Sequence, residues 1–218
     1  MASRARWATL AVLFVVFGVT IWAAGQRGEV PVTGVQRLGP EAGEPVADYL
    51  GRARVSWPAG NSAQWALVQL DSYLAPAAAA EVAHDVRLSR VIIRVPLPRI
   101  QTALITRDLP GQRPVAELTQ ALRSAAADRA AVASQQRGRA AAVAAAEGAQ
   151  LRAGCACVVA LLVFGDGDAL RTVAARPGVR AVHAALPDTL VPDLAISPLL
   201  PEQLDLAGPV PDDGPVPT

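Results

Sequence analysis

The chain has 218 residues, a formal net charge of +1 and only 4% aromatic residues. Such a charge creates no global field to draw it to nucleic acid, and so few aromatic rings argue against a stacking platform for bases or sugars. All twenty basic residues are arginine and alanine is abundant, which reads as codon bias rather than chemistry.

The first element in chain order is Trp7–Ala24, 18 residues without a charge. As a helix it spans roughly 27 Å, close to the hydrocarbon thickness of a bilayer, and satisfies its own backbone hydrogen bonds there. Trp7 and Trp22 fall near its ends, where indoles favour the headgroup region. Arg4 and Arg6 precede it and only Arg27 closely follows. The positive-inside bias therefore makes residues 1–6 a cytoplasmic tip, 7–24 a transmembrane helix and the remainder extracytoplasmic. A cleaved signal ending at Ala23-Ala24-Gly25 is the alternative and exports the same body as a secreted protein.

Residues 25–61 carry Pro31, Pro40, Pro45 and Pro58 and read as a linker, with a short helix over 46–53 and Trp57 docking on the folded domain. That domain is expected over 62–186. Gln64–Leu74 reads as a strand, 76–84 as a helix and 88–95 as a strand. In the last of these Val91, Ile93 and Val95 share one face, and Arg90 and Arg94 the other. A short strand is expected near 102–107. The pattern then recurs: 157–164 (CVVALLVF) is a continuous apolar strand, 168–175 a helix and 179–186 a strand, with Pro177-Gly178 between the last two. Two strand-helix-strand units interleave as a four-stranded antiparallel sheet with helices on one face. The expected class is α+β, a ferredoxin-like domain behind a transmembrane helix.

Between the units, 113–153 is almost wholly Ala, Arg, Gln and Glu with helical spacing. Unbroken, it would extend roughly 60 Å, so it either projects as one helix or folds back near Gly138 as a hairpin. Its small residues suit close packing within the chain or between chains, which makes it the candidate surface for self-association or an unidentified protein partner. Residues 187–218 contain eight prolines, six acids and no arginine, a composition that predicts a largely disordered tail.

The segments "ALVQLDSYL", "SRVIIRVPLP", "RAGCACVVALLV", "RPGVRAV" and "PLLPEQ", with the apolar N-terminus, resemble a group of uncharacterised single-pass membrane proteins of actinobacteria. The resemblance implies a cell-envelope location and no particular activity. The second unit, ending in LRTVAARPGVRAVHAAL, also resembles the pro-domains of subtilisin-type proteases, which implies the same fold and a protease-inhibitor or chaperone role.

Cys155 and Cys157 are the two cysteines, and an exported chain with an even count invites a disulfide. On a straight strand residues two apart lie roughly 6.5–7 Å apart, at the limit for a bridge. A local bond needs a turn after Gly154; a bridge to another chain and two free thiols are the other readings. A local bond would make the pair a candidate redox site. With His84 and His183 the cysteines lack the ligand spacing of a zinc site. Gly165-Asp166-Gly167-Asp168 reads as a strand-to-helix turn with an aspartate cap, because a calcium loop needs further oxygen ligands. His183 reads as a structural imidazole. Leu186-Pro187-Asp188-Thr189 lacks the glycine of a sortase signal. Arg90 and Arg94 form a candidate basic contact face for anionic lipid, wall polymer or an acidic partner. No Gly-x-Ser-x-Gly elbow, P-loop, dinucleotide fingerprint or zincin helix occurs. The expectation is therefore no catalytic residue, metal or cofactor, and a membrane-tethered interaction module; an envelope thiol-disulfide protein is the alternative.

Overall fold

The computed structural model describes residues 35–57 and 62–217. The apolar run Trp7–Ala24, with its expected span and topology, lies outside the described residues. Among those described, no helix is long and apolar enough to cross a membrane.

In chain order the elements are β1 (Gln36–Leu38), α1 (Val46–Val55), β2 (Gln64–Leu74), α2 (Pro76–Val82), β3 (Arg87–Ile93) and β4 (Ile105–Asp108). Next come α3 (Pro114–Gln135), α4 (Gly138–Arg152), β5 (Val158–Gly165), α5 (Gly167–Ala174), β6 (Val179–Ala184) and β7 (Leu194–Ile196). Five strands form one sheet in the order β4-β3-β5-β2-β6, every neighbour antiparallel. The chain is thus a mixed α+β protein. Strand β4 extends the expected four-stranded sheet at its β3 edge, pairing Arg90 with Asp108 and Ile93 with Ile105.

One sheet face is covered by α2, α3, α4 and α5. Alternate strand residues Ala66, Val68, Leu70, Val91, Ile93, Leu161 and Val163 meet Ala79, Leu118, Leu122, Ala125, Leu151, Leu170 and Val173 there. Full burial of each Leu or Val contributes about 1.5–3 kcal/mol before conformational entropy is counted. The intervening residues Leu67, Ile92, Ala160 and Leu162 face the other way, and this second face is also covered. Leu38, Leu194 and Leu200 lie on it, and α1 packs Val46, Tyr49 and Ala53 against Leu199 and Ala207. Strand β5 therefore has both faces dry, which is why all six residues from Val158 to Val163 are apolar.

Two expected boundaries are corrected. The compact body begins at Gln36, so most of the supposed linker belongs to it. Within that stretch α1 forms where a short helix was expected, and the Trp57 indole donates to Val182 O at 2.9 Å. The tail, expected to be disordered, is ordered over 187–217: β7 pairs in parallel with β1, and Leu194, Leu199, Leu200 and Ala207 are buried. Its composition supports no core of its own, but it closes the one already begun by β2, β3 and β5. Gly39 permits the closest approach, with φ of +120° and no room for a Cβ against Ser197 O.

The alanine-rich insertion is a helical hairpin. Helix α3 ends at Gln135 and α4 starts at Gly138, whose φ of +60° makes the reversal. Gly148 brings α4 against the α3 backbone at Ala126 and Ala130, where a Cβ would stand 3.4 Å from Ala126 O.

Candidate functional site

The two cysteines lie where α4 returns to the sheet. Arg152 ends the helix, Gly154 takes a φ of +77°, and Cys155 N–H donates to Gln150 O at 3.2 Å. This turn brings the Cα atoms of Cys155 and Cys157 to 5.3 Å, and the pair is joined as a local disulfide. Cys157 is then held by the sheet: its N–H donates to Leu74 O at 3.1 Å, and its carbonyl accepts from Arg94 N–H at 2.9 Å. Cys157 is buried, Cys155 half-buried and Ala156 exposed. Among the described residues no side chain hydrogen-bonds either sulfur.

Arg94 occupies the same end of the sheet, and it corrects the expected basic face. Its side chain is 3% exposed. The guanidinium reaches Glu202 at 2.5 Å, the Tyr73 hydroxyl, and Ile100 O at 3.3 Å. Burial, seconded by Glu202 and opposed by Arg94, pushes the Tyr73 hydroxyl well above its ordinary pKa. Arg90 is paired across the strand with Asp108 at 2.6 Å. The alternation that puts both arginines on one face is right; that face is covered and its charges are matched, so neither offers a free cation.

Glu202 is one of three tail acids held by arginines of the body. Arg99 Nε donates to Asp213 at 2.7 Å, and Arg139 of α4 to Asp212 at 3.2 Å. These pairs hold the carboxyls of Asp212 and Asp213 below the usual range, with a backbone N–H from Gln101 as the leading cause at Asp212 and Arg99 at Asp213. Two open clefts of about 320 and 940 Å³ run between tail and body, and Arg94 lines both. Because its donors already serve Glu202, Tyr73 and Ile100, the arrangement acts as a clamp that seats the tail.

Behind the clamp lies a buried polar chain. Leu199 N–H donates to Gln69 Oε1 at 2.9 Å, and Gln69 Nε2 to the Tyr49 hydroxyl at 2.9 Å. The Tyr49 ring meets His183 edge-on, with centroids 5.7 Å apart. Burial pushes Tyr49 up to about 12. His183 is 5% exposed and accepts Gly39 N–H on Nδ1 at 3.0 Å, which fixes a neutral ring with its proton on Nε2. Burial, with help from Arg52 and against Glu44, pushes its pKa down to about 4. It is structural in its contacts, as expected. His84 lies on the surface against Asp85 at 2.7 Å. Among the described residues no three His, Cys, Asp or Glu side chains gather as a metal set. Asp166 caps α5, accepting from Ala169 N–H at 2.8 Å, as its sequence context implies.

Glu147 does not stand out among the sequence candidates, yet it bolts the hairpin. Its side chain is fully buried, accepts from Arg129 Nε at 2.6 Å and from Ala103 N–H at 2.6 Å. A signal is available: Glu147 is the single acid between Asp128 and Asp166, within a run of alanines. Glu117 similarly gathers three backbone N–H groups, of Gly111, Gln112 and Arg113, at the start of α3. Desolvation opposes its ionisation, but those bonds and Arg113 hold its carboxyl below the usual range. The distal half of the hairpin leaves Ala130, Ala131, Ala140 and Ala142 exposed.

Comparisons with protein-family models, with curated proteins and with solved structures return no match.

Proposed function

We propose that this chain is a membrane-anchored, extracytoplasmic protein-interaction module of the bacterial cell envelope, non-enzymatic, with a ferredoxin-like body. The anchor is the apolar run Trp7–Ala24, with the N-terminus cytoplasmic. The fold reading is supported by the four strands β3-β5-β2-β6, whose order and antiparallel pairing match two interleaved strand-helix-strand units. The resemblance to single-pass actinobacterial proteins agrees with an envelope location.

The observation that carries the interaction reading is the hairpin. Its proximal residues Leu118, Leu122 and Leu151 belong to the core, while its distal half presents exposed alanines on helices held rigid by Glu147 and Arg129. Rigid small-residue surfaces admit a partner helix at close range. Deleting the whole hairpin would strip the sheet, so Ala131→Glu and Ala142→Glu are the cleaner test. Crosslinking in intact cells should yield a defined adduct, either a second copy or another envelope protein, that both substitutions abolish. Adducts unchanged by either substitution would exclude the hairpin as the contact surface. Protease added to spheroplasts should digest the body; a body protected until lysis would invert the topology.

A second reading, an envelope thiol-disulfide protein, is favoured by the closed Cys155–Cys157 bond with its half-buried Cys155. Differential alkylation of protein taken from cells would support it by trapping a substantial reduced fraction. A pair that stays fully oxidised under all growth conditions would leave the disulfide a staple only.

A further inference from the structure

Exposed leucines occur at both ends of the body: Leu204 and Leu206 stand beside the charged Arg94 clamp, whereas at the other end they stand beside an aromatic pair and an arginine, the chemistry of a lipid-water interface. Strand β2 runs from Gln64 to Leu74, eleven residues or about 37 Å. At the Leu74 end stand the disulfide and the Arg94 clamp. At the Gln64 end the side chains of Trp65 and Phe164 pack with ring centroids 4.9 Å apart, half-buried, and the Arg87 guanidinium lies over both at about 5 Å. Trp65 O accepts from Ala185 N–H at 2.7 Å, so the chain leaves β6 beside that ring. It then presents Leu186 at 66% and Leu190 at 64% exposure. Exposed leucines beside an indole and an arginine on an apolar stem suit the headgroup boundary, where each side chain has an apolar body and a polar tip.

The chain also enters the body at this end. The Gln36 side-chain carbonyl accepts from Leu186 N–H at 2.8 Å and from the Thr189 hydroxyl at 3.1 Å. Between Ala24, where the apolar run stops, and Gln36 there are eleven residues. Eleven residues reach about 40 Å at full stretch. If Trp7–Ala24 is the anchor, the length of chain alone limits the distance between it and this end of the body to about 40 Å.

We propose that the end of the body formed by Trp65, Phe164, Arg87, Leu186 and Leu190 rests in the headgroup region of the membrane that anchors the chain. This rests on the reading of Trp7–Ala24 as the anchor. The contact is carried by apolar side chains, since Asp188 lies between the two leucines and Asp193 follows them, and so it does not require anionic lipid. It points the disulfide and the tail clamp away from the bilayer by the length of β2.

The test uses the full chain, with Cys155 and Cys157 replaced by serine, reconstituted into phosphatidylcholine vesicles. An environment-sensitive dye is attached at Asp193→Cys or, as the far-end control, at Leu204→Cys; both positions are exposed. The dye at 193 should emit blue-shifted and lose at least half its intensity to lipids brominated near the headgroup, while the dye at 204 behaves as in water. Adding Leu186→Ser and Leu190→Ser, which leave the core untouched, should return the dye at 193 to water-like emission. A chain that stays in the vesicles after alkaline carbonate but shows a water-like dye at 193 overturns this proposal alone. A blue-shifted dye insensitive to brominated lipid overturns it in favour of a protein occupant. A chain extracted by carbonate overturns the anchor and this proposal together.

Discussion

Acidification should destabilise the body through one imidazole, His183. In the folded chain burial holds its pKa near 4, whereas an unfolded chain leaves it near 6.5. Between those values the unfolded state binds the additional proton, so stability rises with pH; it is fully present above 6.5 and is lost as pH falls toward 4. Integrating the two titrations gives a loss of about 2 kcal/mol between pH 7 and pH 5, levelling near 3 kcal/mol by pH 4. The carboxyls of Glu44, Asp85, Glu117, Asp212 and Asp213 are all held below their ordinary values, so they add little above pH 5. His183→Asn is the control: Asn Oδ1 takes the place of Nδ1 as acceptor for Gly39 N–H, but does not titrate. Urea unfolding of the full chain in detergent, followed by tryptophan fluorescence, should give a wild-type free energy about 2 kcal/mol lower at pH 5 than at pH 7. The variant, less stable at pH 7 for want of the ring against Tyr49, should change far less. Parallel wild-type and variant curves over this range would refute the argument that the buried neutral ring sets the pH response.

Glu147→Ala should cost about 3–5 kcal/mol, because it strands both Arg129 and the Ala103 N–H; Glu147→Gln, which keeps an acceptor for Ala103, should cost less, as read by the urea midpoint. Glu202→Ala leaves Arg94 buried with its charge unmatched. It should loosen the tail, and limited proteolysis should then cut within 202–217 at least tenfold faster than in wild type. Gly39→Ala places a Cβ inside Ser197 O at a φ of +120° and should lower stability by more than about 2 kcal/mol, with β1 and β7 losing hydrogen-exchange protection first. Replacing both cysteines by serine should cost only about 1.5 kcal/mol, since a bond between residues two apart restricts little of the unfolded chain; a loss above about 3 kcal/mol would show that the bond holds more than its own turn.

Most of the sheet is legible because period-2 and period-3.6 patterns are local. Gln64–Leu74 matches the observed strand at both ends, and the other strands of the five-stranded sheet and the helices differ by a few residues at their termini, whereas β1 and β7, in the supposed linker and tail, are not anticipated. The hairpin stays open between two readings because alanine is helical anywhere; Gly138 with positive φ decides it. The disulfide likewise stays among three readings, since its bond depends on the turn at Gly154 rather than on spacing. Arg94 is where local patterning misleads. Periodicity places it correctly on the face opposite Val91 and Ile93, but exposure does not follow from facing away from one core. It depends on whether anything covers the second face.

That cover is itself implied by β5. A strand apolar at every position from Val158 to Val163 has two dry faces, and the helices of the two units account for only one. The remaining chain, Gln36–Trp57 and the tail, has to supply the other. The tail looks disordered when judged as an isolated segment, because it holds too few apolar residues to pack on themselves. Judged against the body it is complementary: six acids and no arginine on one side, arginines such as Arg94, Arg99 and Arg139 on the other. Its few apolar residues, Leu194, Leu199 and Leu200, go where the sheet still faces water. Order in such a segment is a property of the surface that receives it. Loosening the receiving pair at Arg94 and Glu202 should therefore weaken the tail before it weakens the sheet.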